Sequence, residues 1–295
     1  MRILSYGGGV QSEAVVRMSF DGELPELDHI IFADTGAEWP ETYEAADRIE
    51  KACHNRGVSF HRVTCHYDRS SGSIVSDMLA DGPTSRWSAP PVFIADEPGV
   101  VTGQTMRQCT GDYKKAPIER CIKTMILGLD ERGRWPIDPA YELWLGISWD
   151  EFQRMKAPAR PAELIYHPLI EVPQIFPTGG YEIRKRPLRR EDAAVWLERN
   201  GYAVPVKSAC TICPYQSRKR WRMLARRHPD LFAQAVEVDR HMRTAGAFKG
   251  TPYLHRDGIP LSEIDLREPD EINGQGSLLD DEDGFSDECA GMCGT

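Results

Sequence analysis

The stretch SYGGGVQSEA, residues 5–14, follows an apolar run at residues 1–4 and leads directly into a helical pattern. In an open parallel sheet, ligands bind beyond the carboxyl ends of the strands, and the first strand-to-helix loop is a favoured place. Glycines there allow backbone N–H groups to approach an anion closely, while the start of the helix contributes partial positive charge. The stretch therefore predicts a phosphate-binding loop. A tight turn whose glycines serve only close packing is the alternative.

The loop does not follow the two best-known glycine-rich patterns. It is not GxGxxG, and it lacks the lysine of GxxxxGK[ST], so neither a dinucleotide site nor a Walker-type NTPase site is indicated. The candidate ligand-binding residues in this part of the chain are Ser5, Gly7, Gly8, Gly9, Gln11 and Ser12.

Strand and helix patterns alternate outward from this loop. Strands are predicted at 1–6, 29–36, 58–65 and 141–148, with a further one at 164–172, and helices at 11–20 and from Pro40 onward. This alternation predicts an α/β fold with a Rossmann-like parallel sheet built from right-handed crossovers. The pattern is poorer at 66–140, where we expect an insertion or lid on the substrate side, and it is helical from about residue 190.

We accordingly predict three regions. An α/β nucleotide-binding domain spans 1–175, a helical region containing cysteines spans 176–262, and an acidic tail spans 263–295. Residues 263–288 contain eleven acidic residues and one arginine, so their charge of −10 accounts for all of the chain's formal net charge of −9. The rest is close to neutral, which leaves nucleic acid open as a partner.

The sequence also indicates where in the cell the protein is located. No apolar run approaches the roughly 20 residues that a membrane helix needs. The first residues read as a strand rather than as a signal peptide. We therefore expect no membrane association and a cytoplasmic location.

Several ordered motifs resemble one family. GGGVQS (7–12) looks like the PP-loop, SGGxDS, of the ATP pyrophosphatases and of the related phosphoadenylylsulfate (PAPS) reductases. FADTGAEWPETYE (32–44) and QCTGDYKKAPIER (108–120) are similar to the reductases' second-strand motif and Cys-Thr…Lys…Pro segment. The resemblance continues through GISWDEFQRM (146–155), SACTICPYQSRKRW (208–221) and YLHRDGIPL (253–261), of which the last two are similar to a bacterial and phage PAPS-reductase-like branch.

The resemblance implies an adenine-nucleotide α-hydrolase fold that binds ATP, PAPS or a related adenosine nucleotide. The glycines and Ser12 would hold its phosphates or sulfate, and Asp34, Thr35 and Gly36 would lie beside the adenosine. Lys114 and Lys115 would neutralise phosphate charge, or else belong to a solvated helix start. Where the pyrophosphatases have an aspartate near Mg²⁺, this chain has Gln11. A Mg²⁺ site would therefore need a carboxylate from elsewhere, for which the candidates are Asp34, Asp112 and Asp150.

Three cysteines form a second candidate site. Cys109 together with the CxxC pair Cys210 and Cys213 is similar to the three-thiolate [4Fe–4S] site of tRNA-thiolating enzymes. Zinc is the second candidate, with a fourth ligand from Cys121, His228 or His255. A pair of buried structural cysteines is the third interpretation. In the interpretation as an iron–sulfur site, Cys109 and Lys114 act catalytically next to the nucleotide.

The tail supplies one more candidate. PAPS reductases carry their nucleophile on a mobile C-terminal segment, and the ending DECAGMCGT resembles that arrangement and places Cys289 in the corresponding role. Acidic neighbours disfavour a thiolate unless basic residues receive it. An inert chain end is the alternative.

Two basic stretches, RKRPLRR (184–190) and RKRWRMLARR (218–227), suggest a tRNA or DNA substrate, or simply solvated faces. Three functions therefore stay open. The first is nucleotide-dependent sulfur transfer, with a cysteine desulfurase or a thioredoxin-like protein as sulfur or electron donor. The second is reduction of PAPS or APS through Cys289, and the third is a non-catalytic nucleotide-binding module.

Overall fold

The computed structural model describes residues 1–65, 70–80, 90–172, 182–183, 186–245 and 248–267. Cys289 and the tail from residue 268 onward lie outside the described residues, as do parts of the predicted lid and the first two residues of RKRPLRR. The division of the chain into the three regions 1–175, 176–262 and 263–295 stays a prediction.

A five-stranded parallel sheet forms the centre of the fold, which confirms the predicted α/β class. Its strands, in chain order, are β1 (Arg2–Tyr6), β2 (His29–Asp34), β3 (Ser59–Thr64), β6 (Tyr141–Leu145) and β7 (Glu163–Tyr166). They lie in the order β3-β2-β1-β6-β7. The strand order reverses at β1, so a crevice opens at its carboxyl end, where the glycine loop begins.

The remaining elements surround this sheet. The helices are α1 (Val10–Phe20), α2 (Pro40–His54), α3 (Ile74–Leu79), α4 (Ala116–Arg120), α5 (Arg190–Arg199), α6 (Arg218–Arg227) and α7 (Pro229–Thr244). Wider helical turns, Gly111–Lys115 and Cys121–Ile126, flank α4, and short 3₁₀ segments occur at Trp149–Arg154 and Leu261–Glu263. The smaller strands are β4 (Phe93–Glu97), β5 (Val100–Gln104), β8 (Glu171–Val172), β9 (Glu182–Ile183) and β10 (Thr251–Tyr253).

The region that the sequence predicts as an insertion packs against the C-terminal helices. Strands β4 and β5 form a hairpin, and β10 adds to it antiparallel. Helix α3 packs on α7, and both contribute to one apolar core with Trp39, Trp221 and Leu254. A buried aspartate holds the end of this lobe, because the Asp239 carboxylate accepts the backbone N–H groups of Leu254 and Leu261. The carboxyl edge of the main sheet therefore meets a second packed lobe.

Within the described residues, no helix is both long enough and apolar enough to cross a membrane.

A pair of histidines lies on two neighbouring strands, β2 and β3. Nδ1 of His29 is 3.1 Å from Nε2 of His61, so one ring donates to the other. Burial lowers the pKa of both imidazoles, and for His61 the proximity of His29 lowers it further. The unfolded chain therefore binds more protons than the folded one just below the ordinary histidine pKa of about 6.5.

We predict that the free energy of unfolding decreases as the pH falls below about 6.5 and that His61→Gln weakens this dependence. The measurement is urea unfolding at several pH values between 5 and 8. His54→Gln, at the exposed end of α2, is the control and should leave the pH dependence of the wild type in place. Equal pH dependence in His61→Gln and the wild type would contradict the prediction.

Candidate functional site

The glycine loop connects β1 to α1 in the predicted geometry. The hydroxyl of Ser12 accepts the N–H of Gly7 at 3.3 Å and donates to the carbonyl of Gly9 at 3.0 Å. Gly9 is the N-cap of α1 and has no side chain to satisfy the first N–H groups of the helix. These groups are the ordinary anion-binding donors of a helix start. The loop is thus held by Ser12 with its backbone donors available to a ligand.

Gly8 cannot be replaced without strain. Its φ is +73°, and a Cβ built on it would lie 2.5 Å from Cγ2 of Thr42 on α2. Gly7 differs, since a Cβ there meets nothing within 4 Å. Gly8 therefore brings the loop against α2, while Gly7 leaves open space in front of the loop.

Gln11 and the carboxylates proposed for Mg²⁺ have defined surroundings. The amide of Gln11 donates to Ser148 and to Glu151, at 3.4 and 3.2 Å. Glu151 also pairs with Arg154 at 2.6 Å. Asp150, by contrast, accepts the backbone N–H at the start of α5. The carboxylate nearest to Gln11 in this network is thus Glu151, which the sequence motif did not single out.

The end of β2 carries the predicted adenosine-side residues. Oδ1 of Asp34 accepts hydrogen bonds from the N–H of Gly36 and from the hydroxyl of Tyr43, both at 2.8 Å. Gly36 has a φ of +67°, and a Cβ on it would lie 2.6 Å from Cβ of Ser73. The DTG segment is therefore a fixed turn at the edge of the crevice.

Backbone hydrogen bonding holds the CTIC segment against this turn. Glu38 and Cys210 form an isolated antiparallel bridge, and the N–H of Thr211 donates to the carbonyl of Ala37 at 2.7 Å. The glycine loop is also close, because a Cβ built on Gly9 would lie 3.6 Å from Cβ of Ser208. The predicted nucleotide loop and the cysteine segment, about 200 residues apart in the chain, are therefore neighbours.

A small cavity of about 30 Å³ lies at this junction. It brings together all three cysteines predicted as metal ligands and one predicted lysine. Its lining includes Thr35, Arg107, Cys109, Thr110, Lys114, Cys210, Cys213 and Tyr215. The volume is enough for about two water molecules.

A buried carboxylate organises the cavity. Oε1 of Glu38 lies 3.1 Å from Nζ of Lys114, and it accepts the hydroxyl of Thr35 at 3.1 Å. The thiol of Cys210 donates to the same oxygen at 3.8 Å and lies 3.3 Å from the Thr35 hydroxyl. The side chain of Glu38 is 1% exposed, so the ion pair with Lys114 is screened little by water.

These contacts set the protonation of Cys210. Burial raises the pKa of the Cys210 thiol well above its usual range, the Glu38 carboxylate raises it further, and Lys114 lowers it. Cys210 is therefore a protonated thiol at neutral pH in this arrangement. It becomes a nucleophile or ligand only if its surroundings change.

The cysteines do not form a ready-made metal centre. Among the described residues, no group of three His, Cys, Asp or Glu side chains is arranged to hold a metal ion. The proposed fourth zinc ligands are engaged elsewhere. Cys121 is buried in a separate apolar cluster, and His228 contacts Glu41 at 3.0 Å. His255 is buried beside Asp257, and burial lowers its pKa to about 4. Thiol ligands suit a [4Fe–4S] cluster or a zinc ion, but the positions of the side chains in this structure do not.

The two predicted lysines have different environments. Lys114 lines the cavity, whereas Lys115 is exposed. Desolvation lowers the pKa of Lys115, and the charges of Lys156 and Arg107 lower it further. Lys115 thus belongs to a group of mutually repelling cations that includes Arg107 of the cavity lining.

The basic helix α6 differs from the sequence interpretation in one respect. Trp221, which stands among its arginines, is fully buried and packs against Phe232. Arg220 is also buried, lies 4.5 Å above the ring of Trp39, and donates to the carbonyl of Lys207. Both residues belong to the packing of the second lobe and are not available to stack on a nucleic acid.

The sequence analysis missed three residues of the site. They are Glu38, Arg107 and Tyr215, of which the last two also contact each other through a cation–π interaction at 5.9 Å. Glu38 and Tyr215 lie within motifs quoted above, at 32–44 and 208–221. No chemical pattern distinguishes either of them in the sequence.

Comparison with known proteins adds little to this geometry. No protein-family model matches the chain, and no curated protein sequence matches it. Among solved structures, the chain is similar to the phosphate complex of PAPS reductase from Candida auris, at 14% identity over 69% of this chain and 74% of that one. The TM-score is 0.34.

Gly8→Ala should destabilise the protein by about 2–3 kcal/mol, because it adds a steric clash to an unfavourable φ. The matched control is Gly57→Ala, whose φ is +72° but whose Cβ meets nothing within 4 Å. That variant should lose only about 1 kcal/mol. Urea unfolding measures both losses, and equal losses would show that the contact with Thr42 does not constrain the loop.

The charges around Cys210 should shift its pKa in opposite directions. Glu38→Gln should lower the pKa of Cys210, and Lys114→Met should raise it, since each removes one neighbouring charge. The rate of Cys210 modification by a small disulfide reagent, followed by mass spectrometry across pH in metal-free protein, measures the pKa. Lys115→Met is the control and should leave it unchanged. Shifts of the same sign in the first two variants would contradict the assignment.

Proposed function

We propose that this chain is an enzyme that binds an adenosine nucleotide at the glycine loop and transfers sulfur through the cysteines of the adjacent cavity. The supporting observation is the junction itself, where a Cβ built on Gly9 would lie within 4 Å of Ser208 and the CTIC segment bridges to the turn at the end of β2. A nucleotide held by the loop would have its phosphates next to the thiols. In a purely structural role, the cysteines would have no need of Lys114, Arg107 and a buried carboxylate around them.

The chemistry follows from that proximity. ATP transfers AMP to an oxygen of the acceptor and releases pyrophosphate. A persulfide on one cysteine, supplied by a cysteine desulfurase, then attacks the activated carbon and displaces AMP. A second cysteine thiolate attacks Sγ of the first cysteine, which breaks its S–S bond to the transferred sulfur, frees the thiolated product and leaves a disulfide between the two cysteines. A thioredoxin-like dithiol reduces that disulfide and becomes oxidised itself.

Each group of this chain has a role in the proposal. The backbone N–H groups of Gly7–Gly9 bind phosphate oxygens. Lys114 leaves its ion pair with Glu38 and pairs with the phosphate instead. Once Lys114 moves toward phosphate, Glu38 accepts the proton of Cys210. Mg²⁺ on Asp34, Asp112 or Asp150, and a [4Fe–4S] cluster or zinc ion on the three cysteines, stay proposals in addition. None of the steps above passes through a metal.

The reduction of PAPS or APS by Cys289 remains the second candidate, because it uses the same nucleotide site. It predicts release of sulfite that is lost in Cys289→Ser, with no AMP formed from ATP. The third candidate, a non-catalytic module, predicts nucleotide binding without AMP or sulfite.

Nucleotide binding is tested first. Ser12→Ala should weaken the binding of ATP or PAPS by about tenfold, because Ser12 holds two positions of the loop. Isothermal titration calorimetry measures the affinity. The matched control is Ser19→Ala, at the other end of α1, where the hydroxyl bonds to Pro25 and Leu27. Wild-type protein that binds neither nucleotide would overturn the proposal.

The thiols are tested by their chemistry and by their metal content. Treatment with cysteine and a cysteine desulfurase should place a persulfide on Cys109, Cys210 or Cys213, detected by mass spectrometry. Iron and sulfide are measured in protein purified without air, in wild type, Cys210→Ala and the buried control Cys121→Ala. Loss of bound iron in Cys210→Ala alone would establish a cluster there. Neither persulfide nor metal at these cysteines would contradict their role in sulfur transfer.

A further inference from the structure

An exposed pair of aromatic side chains lies beside the glycine loop. Trp149 and Phe152 stack with ring centroids 5.4 Å apart and an interplanar angle of 25°. Trp149 is 44% exposed and Phe152 is 54% exposed. Large rings of this kind are normally buried, so a stacked pair that remains in solvent marks a surface that contacts something else.

The pair is fixed in place at the carboxyl edge of the sheet. Both residues belong to the 3₁₀ segment Trp149–Arg154, which follows β6. The Glu151 carboxylate between them accepts the amide of Gln11, in the first turn of α1. The segment is thereby joined to the start of the helix that carries the glycine loop.

Basic residues lie on one side of the pair, in the segment before α5. The N–H of Trp149 donates to the carbonyl of Leu188 at 2.8 Å, and Asp150 accepts the N–H of Arg190. Arg186 and Arg189, in the same segment, are exposed. Arg186 has a side chain that is 83% exposed and lies 3.4 Å from Asp192. These contacts bring the described part of the basic stretch RKRPLRR next to the aromatic pair.

A second basic group includes a residue that closely follows the pair in the chain. Lys156 is exposed and follows the aromatic segment by two residues. It is close enough to lower the pKa of Lys115, as is Arg107, which contacts Tyr215 in the cavity lining. Acidic residues also lie in this region: Glu119 and Glu163 are near Lys115, Glu151 pairs with Arg154, and Asp150 and Asp192 contact the segment that begins α5.

We propose that Trp149 and Phe152 form a stacking platform for the bases of a single-stranded nucleic acid. The surface combines flat rings with cations from two neighbouring segments, and single-stranded nucleic acid combines flat bases with regularly spaced phosphates. A strand on the platform has its backbone along Lys156, Lys115 and Arg107 and leads toward the cavity. The role of this nucleic acid as acceptor of sulfur rests on the function proposed above, whereas its docking on the platform does not.

The experiment uses the full chain and a fluorescein-labelled oligouridylate or oligothymidylate of twelve nucleotides. Fluorescence anisotropy measures the affinity at 50 and 200 mM NaCl. Trp149→Ala and Phe152→Ala should each weaken binding by about tenfold, and Trp149→Phe should retain most of it. Affinity should fall steeply with salt. Competition by a duplex of the same length should be weak.

The matched control is Ile137→Ala. Ile137 is 84% exposed but precedes β6, so it lies at the opposite edge of the sheet from Trp149. This variant should bind like the wild type. Thermal unfolding of all variants confirms that they fold.

Three results would overturn the proposal. The first is a wild-type protein that does not bind either oligonucleotide at 50 mM NaCl. The second is a double variant of Trp149 and Phe152 that binds within twofold of the wild type. The third is a wild-type dimer, seen by sedimentation, that the same substitutions dissociate, because the platform would then be a self-association surface. Calorimetry with ATP and PAPS on the same variants separates this proposal from the function itself, since nucleotide binding should not change.

Discussion

The candidate site depends on a short backbone bridge between two distant parts of the chain. Glu38, just after β2, pairs with Cys210, and the N–H of Thr211 donates to the carbonyl of Ala37. Without this bridge, the CTIC segment would have no fixed relation to the glycine loop. With it, one end of the main sheet and the second lobe share a cavity, and the side chains of that cavity have defined partners.

Electrostatics makes that junction responsive to a ligand. A buried carboxylate, a lysine and a thiol share a single oxygen, Oε1 of Glu38. In a buried setting, each charge depends strongly on the others, because little water screens them. An anion that attracts Lys114 therefore changes the environment of Cys210 as well. In the function proposed above, occupation of the loop would change the protonation of the Cys210 thiol through Lys114.

Much of the fold could be predicted from local patterns. The apolar runs predicted β1, β2, β3 and β6, and each begins within one residue of its expected start, although β2 and β6 end two and three residues early. Pro40 was expected in a first helical turn and begins α2. The triple glycine predicted a loop with accessible backbone donors, and Gly8 with its positive φ shows why a larger residue does not fit there. These features depend on steric properties of neighbouring residues, so the sequence alone was sufficient.

The sequence by itself therefore determined the α/β class, the glycine loop and the identities of the thiols. Only the tertiary structure decided which residues meet. It buried Trp221 in a core, joined Gln11 to Glu151 and gave Cys210 a carboxylate neighbour. It also left Trp149 and Phe152 in solvent, although their apolar character alone favours burial. The physical reason is that burial and pairing are set by contacts between segments more than a hundred residues apart, and no local period or spacing records such contacts.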